Sequence, residues 1–217
     1  SVRGGTLLVN GIITASPVFI GDVSALGGTG VISGPVTVQS GGTLAPGASV
    51  GQLTISNTVT LQAGSTTRIE LDKAAGTSDQ LRVTGSLSYG GSLTVTNLAG
   101  TLWAGDSFQI FSATGTSGFF TATNLPALPA GFNWNWSPAS GTLSISSSVA
   151  LDPANVTANF TGGALELTWP ADHTGWRVET NATDVANANA WFTLADASAT
   201  NRVFLPPNST SSNVFFR

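Results

Sequence analysis

The sequence predicts an all-β protein: a parallel β-helix (β-solenoid) over residues 1–148, then a small β-sandwich of immunoglobulin or fibronectin kind over residues 149–217. Three observations carry the prediction. A glycine-led phrase recurs at Gly4-Gly5-Thr6-Leu7, Gly27-Gly28-Thr29-Gly30, Gly41-Gly42-Thr43-Leu44 and Gly90-Gly91-Ser92-Leu93, as expected of stacked coils of short strands joined by tight turns. Between these phrases apolar and small polar residues alternate, the period of a strand with one buried face. After Ser146-Ser147-Ser148 the phrases are gone and a second set of alternating segments begins.

In chain order, Val31 and Ser33, then Val36 and Val38 beyond the Gly34-Pro35 turn, form two short strands. The pairs Leu53/Ile55, Val59/Leu61, Ile69/Leu71, Leu81/Val83 and Leu93/Val95 repeat the inward-facing spacing, so all ten aliphatics are expected in one core of parallel coils. Gly47, Gly64, Gly76, Gly85 and Gly90-Gly91 mark the turns between them. Arg68, Glu70 and Asp72 alternate with Ile69 and Leu71 and belong on the outside.

From about 100 to 148 large side chains replace the glycine pairs: Trp103, Phe108, Phe111, Phe119, Phe120, Phe132, Trp134 and Trp136. This stretch is expected to form closing coils, because an uncapped solenoid leaves its hydrophobic core open at the end. The sandwich is expected from strands at Val156–Phe160, Ala164–Trp169, Trp176–Thr180, Trp191–Leu194, Arg202–Leu205 and Val214–Arg217, with a further edge strand past Arg217 and one helical turn at Asp184–Ala190.

Composition excludes several function classes. Of 217 residues 41% are apolar but only 8% charged, and the net charge is −4 with a single lysine, Lys73. Such a chain offers no clustered basic face for nucleic acid or an anionic membrane, and no apolar run reaches the roughly 18 residues of a membrane-spanning helix. With no cysteine there is no disulfide, thiolate metal site or cysteine nucleophile. Ser1-Val2-Arg3 runs straight into the first phrase, so the start is expected to be a boundary within a longer repeat array, its first coil uncapped and available to upstream repeats or to another copy.

The run Gly41-Gly42-Thr43-Leu44-Ala45-Pro46-Gly47-Ala48-Ser49-Val50-Gly51-Gln52-Leu53-Thr54-Ile55, followed by Gln62-Ala63-Gly64-Ser65-Thr66-Thr67-Arg68-Ile69-Glu70-Leu71, resembles the autotransporter-associated β-strand repeat. The tail, with Leu167-Thr168-Trp169-Pro170 and Val214-Phe215-Phe216-Arg217, looks like a module that follows such repeats in exported surface proteins of the Verrucomicrobia type. The resemblance implies a parallel β-helix, export to the cell surface or beyond, and no catalytic residues. Nothing in the chain reads as the membrane barrel that ends an autotransporter.

The chemistry that the residues themselves offer is sparse. His173 is the single histidine, read as a solvated turn residue, since a general base needs a partner nucleophile or acid. The solenoid carboxylates Asp22, Glu70, Asp72, Asp79 and Asp106 are too scattered for the paired acids of a β-helix lyase or glycosidase, and the Asp72–Asp79 spacing matches no calcium loop. No metal or cofactor is expected. Trp134 and Trp136, two apart on one face of a strand, are the candidate carbohydrate-binding residues, against the alternative that they pack the solenoid end. The expected function is therefore non-enzymatic: an extracellular stalk, adhesin segment or subunit of a head-to-tail fibre. Carbohydrate binding by surface tryptophans is the alternative, and a polysaccharide lyase stands behind it.

Overall fold

A computed structural model describes residues 1–129, 131–150, 152, 154–187, 190–194, 200–206 and 214–217. The chain is nearly all β and divides into two compact units, Ser1–Leu128 with Trp134–Ser146, and Pro129–Asn133 with Ser147–Arg217. Pro129–Asn133 belongs with the second unit because Gly131 carbonyl oxygen accepts hydrogen bonds from both the backbone N–H and the hydroxyl of Ser148. Among the described residues no helix is long and apolar enough to cross a membrane.

The first unit is a parallel β-helix. Its first coil holds β1 (Gly5–Leu8), β2 (Ile12–Ile13) and β3 (Val18–Ile20); the second holds β4 (Ser24–Gly28), β5 (Val31–Ile32) and β6 (Val36–Val38). The third coil holds β7 (Thr43–Pro46), β8 (Gln52–Ile55) and β9 (Val59–Leu61). The fourth holds β10 (Thr66–Asp72), the short β11 (Thr77–Ser78), β12 (Gln80–Val83) and β13 (Ser86–Tyr89). Then come β14 (Ser92–Asn97), β15 (Ser107–Gln109), β16 (Phe111–Ser112), β17 (Gly115–Gly118) and β18 (Ala122–Asn124), and finally β19 (Phe132–Ser137) and β20 (Thr142–Ser147). Three parallel sheets result, in the orders β1-β4-β7-β10-β14-β18, β2-β5-β8-β12-β16 and β3-β6-β9-β13-β17.

Register stacks like on like. Leu7, Leu26, Leu44, Thr67 and Leu93 form one interior row of the first sheet. Ile13, Ile32, Ile55 and Val83 form one row of the second, and Val18, Val36, Val59 and Leu87 one row of the third. The ten aliphatics expected in the core are all buried, none above 5% exposed. Burying each stabilises the fold by roughly 1.5–3 kcal/mol relative to an exposed position. Because a one-residue slip would turn every such side chain outward, these rows fix the register.

Gly28 shows why the recurrent phrases need glycine. Its φ is +102°, it exchanges two backbone hydrogen bonds with Gly47, and a Cβ there would lie 2.3 Å from the Val9 carbonyl oxygen. No L side chain fits that corner.

Within the segment 100–148, β16, β17 and β18 form a last regular coil, each in parallel register with the coil before it. Closure falls to the antiparallel sheet β15-β20-β19 alone.

The second unit holds β21 (Thr157–Thr161), β22 (Ala164–Thr168), β23 (Glu179–Asn181), β24 (Phe192–Thr193), β25 (Arg202–Leu205) and β26 (Phe215–Phe216). They form two three-stranded antiparallel sheets, β21-β22-β25 and β24-β23-β26. Side chains of both meet in one apolar cluster around Leu167, Trp169 and Val178. The helical turn expected at Asp184–Ala190 includes positions 188 and 189, outside the described residues; over its first part a simple turn forms, Asn187 N–H donating to Asp184 carbonyl oxygen. A 3₁₀ turn also forms at Ala171–His173.

Candidate functional site

The two ends of the β-helix are built differently, and the difference lies in which residues occupy matching register positions. On each outer face of the first coil stands a large apolar side chain. Leu8 is followed down its row by Gly27 and Ala45. Ile12 is followed by Val31, Thr54, Arg82 and Ser112. Phe19 is followed by Thr37, Thr60, Ser88 and Ser117. Leu8, Ile12 and Phe19 are 57%, 72% and 41% exposed, so the first coil wears an apolar collar, and by the third coil the same rows carry only Ala45, Thr54 and Thr60.

Its core is open as well. Leu7 and Ile13 are only half-buried, while their row partners Leu26 and Ile32 are fully buried. Strands β1 and β2 end their sheets, each with one unpaired edge. The β3 edge carries a single parallel bridge from Val2, whose N–H donates to Phe19 carbonyl oxygen at 2.8 Å and whose carbonyl oxygen accepts from Gly21 N–H at 3.1 Å. The collar was not among the expectations from sequence. Aligning the glycine phrases by their interior leucines, Leu7 with Leu44, would have set Leu8 against Ala45 and exposed part of it.

The far end is filled. Tyr89, Phe111, Phe120 and Trp136 form a four-ring cluster with centroid separations of 5.1 to 6.1 Å, several in the edge-to-face geometry that aromatic quadrupoles favour. The Tyr89 hydroxyl donates to Pro138 carbonyl oxygen, and burial pushes its phenol well above the ordinary value. Gly141 lies against Phe111, its carbonyl oxygen accepting from the N–H groups of Ile110 and Phe111. The hairpin thereby uses the backbone donors of the last coil.

Trp134 and Trp136 lie on one face of β19, both half-buried. The ring of Trp136 belongs to the four-ring cluster, and the Trp134 indole N–H donates to Pro126 carbonyl oxygen at 2.9 Å. The Trp136 ring thus packs against the last coil, while the Trp134 indole is held by a loop carbonyl.

The acids are engaged by backbone. Asp79 is 2% exposed and accepts from Gly51 N–H at 2.9 Å and Glu70 N–H at 2.8 Å. Burial pushes its pKa from 3.8 to about 6, against the pull of those two donors. Asp72 accepts from Ala75 N–H, and Asp106 pairs with Lys73 Nζ while accepting from Trp103 N–H. Among the described residues no three of these groups converge on a metal position.

His173 was read as a solvated turn residue; it is 3% exposed. Its Nδ1 lies 2.7 Å from Asp172 Oδ1 and its Nε2 2.9 Å from Asp152 carbonyl oxygen. The ring stands edge-to-face on Trp176, 4.5 Å between centroids. Within the turn the Trp169 indole N–H is donated to the His173 carbonyl, and the long-range partner of the ring is the Asp152 carbonyl, 21 residues away. Neither a protein-family model nor a curated protein matches this chain.

Proposed function

We propose that this chain is a non-enzymatic structural segment of a cell-surface or extracellular protein, extended by a further β-coil seated on its first coil. The observation that carries the reading is the asymmetry of the solenoid's ends: an apolar collar with free strand edges at one, a packed aromatic plug at the other. Unpaired parallel edges above a half-open core form a template for another strand layer. The parallel bridge made by Val2 supports a parallel occupant. Scarce charge, absent cysteine and the resemblance of Gly41–Ile55 to autotransporter-associated repeats support placement outside the cell. The second unit serves this reading as a fibronectin-like module carried on the stalk.

A second copy and upstream repeats are the two sources of such a coil, and one experiment separates them. Light scattering of the chain over a concentration series, with electron microscopy of any polymer, reports self-assembly. Replacing Leu8, Ile12 and Phe19 together by Thr is expected to abolish association without unfolding the inner coils. Placing a duplicate of residues 24–42 ahead of Ser1 is expected to abolish association and to raise stability. A chain that stays monomeric, and that gains no stability from the added coil, overturns the reading.

A further inference from the structure

We infer that His173 is a protonation-controlled latch, holding the backbone of Ala150 and Asp152 onto the turn Ala171–Trp176 in the second unit. The partners of the two ring nitrogens set the charge state that the site accepts. Nε2 faces a backbone carbonyl at 2.9 Å, and a carbonyl only accepts, so Nε2 must carry a proton. Nδ1 faces a carboxylate oxygen at 2.7 Å, and an ionised carboxylate likewise only accepts. The site therefore fits the imidazolium. Either neutral tautomer sets a ring lone pair against an oxygen lone pair.

The charged groups facing the ring are both acidic, the carboxylates of Asp172 and, at 3.9 Å from Nε2, of Asp152. Hydrogen bonding to Asp172 and then to the Asp152 carbonyl raises the pKa above 6.5, and burial opposes them. Two neutral bonds lie beside the latch: Ala150 N–H donates to Asp172 carbonyl oxygen at 2.8 Å, and Trp176 indole N–H donates to Ala150 carbonyl oxygen at 2.9 Å. The indole that grips Ala150 is the one the imidazole ring stands on, so deprotonation loosens three contacts to the same short strap. The strap follows directly on β20, where the chain enters the second unit. Since the folded pKa is raised, the latch is closed below pH 6.5 and opens as pH rises through the folded value.

A single histidine makes the test direct. The one imidazole signal in a ¹H–¹³C NMR titration of the full chain should have its midpoint above 6.5. Over the same window the opening equilibrium of the Ala150 amide, from hydrogen exchange corrected for its intrinsic pH dependence, should rise about tenfold per unit of that displacement. Asp172→Asn should lower the midpoint, and His173→Gln should leave Ala150 exchange elevated and flat with pH. If the second variant fails to fold, the wild-type titration and Asp172→Asn still decide. A midpoint at or below 6.5, or Ala150 protection that ignores the titration, overturns the latch.

Discussion

The Asp79 carboxylate accepts the backbone N–H of Gly51 across 2.9 Å, tying the Gly47–Gly51 corner of one coil to the start of β12 in the next. Its partners lower its pKa and its burial raises it, and burial prevails at about 6. The folded chain therefore keeps this proton to higher pH than the unfolded chain. Its contribution to stability is full below pH 3.8 and lost as pH rises to about 6, on the order of 3 kcal/mol across that interval. Denaturant unfolding at several pH values should show the wild type losing stability relative to Asp79→Asn over this window. A wild type that gains relative to the variant would contradict the assignment.

Thr67 stands in the interior row between Leu44 and Leu93, its hydroxyl buried and without a hydrogen-bond partner among the described residues. Valine has the same shape without the stranded hydroxyl. Thr67→Val is expected to stabilise the fold by about 1–2 kcal/mol, read as a higher midpoint with unchanged denaturant slope. A destabilised variant would mean that the hydroxyl is satisfied in solution.

Gly28→Ala should be among the most damaging single changes in the first unit. It adds both a Cβ against the Val9 carbonyl and a left-handed φ penalty, together about 3 kcal/mol or more. Loss of protection at Val9, Gly28 and Gly47 ahead of the inner coils would locate the damage, while wild-type stability would show that the corner relaxes freely.

Trp136→Ala separates packing from sugar binding. Removing one ring of the four should cost about 3 kcal/mol through the cavity left behind, with affinity for a panel of soluble polysaccharides unchanged. A stable variant that loses polysaccharide binding would reverse the roles given to this indole.

How much of this was legible in the sequence depends on whether a residue's environment is local. The rows of Leu53, Ile55, Leu81 and Val83 could be read because alternation and glycine corners are local signals. The position of Trp136 could be framed only as a choice between packing and exposure, since Tyr89 and Phe111 reach it through coil stacking rather than through neighbouring sequence. His173 was misread for the same reason: the Asp152 carbonyl meets it through tertiary folding, while its immediate sequence is that of an ordinary surface turn. The collar of Leu8, Ile12 and Phe19 was missed because an outward apolar residue is unremarkable alone and becomes informative only beside its row partners.

The stacked rows also dictate how the first unit would yield to force. Its interstrand hydrogen bonds join one coil to the next, so pulling its two ends apart loads them lengthwise and a few at a time. Coils should peel away singly, each releasing about 60–100 Å of contour, because the register spacing from coil to coil grows from 18 residues near the start to 30 at the last coil. The expected trace in a single-molecule experiment is a sawtooth at low force, with longer steps from the later coils than from the first two.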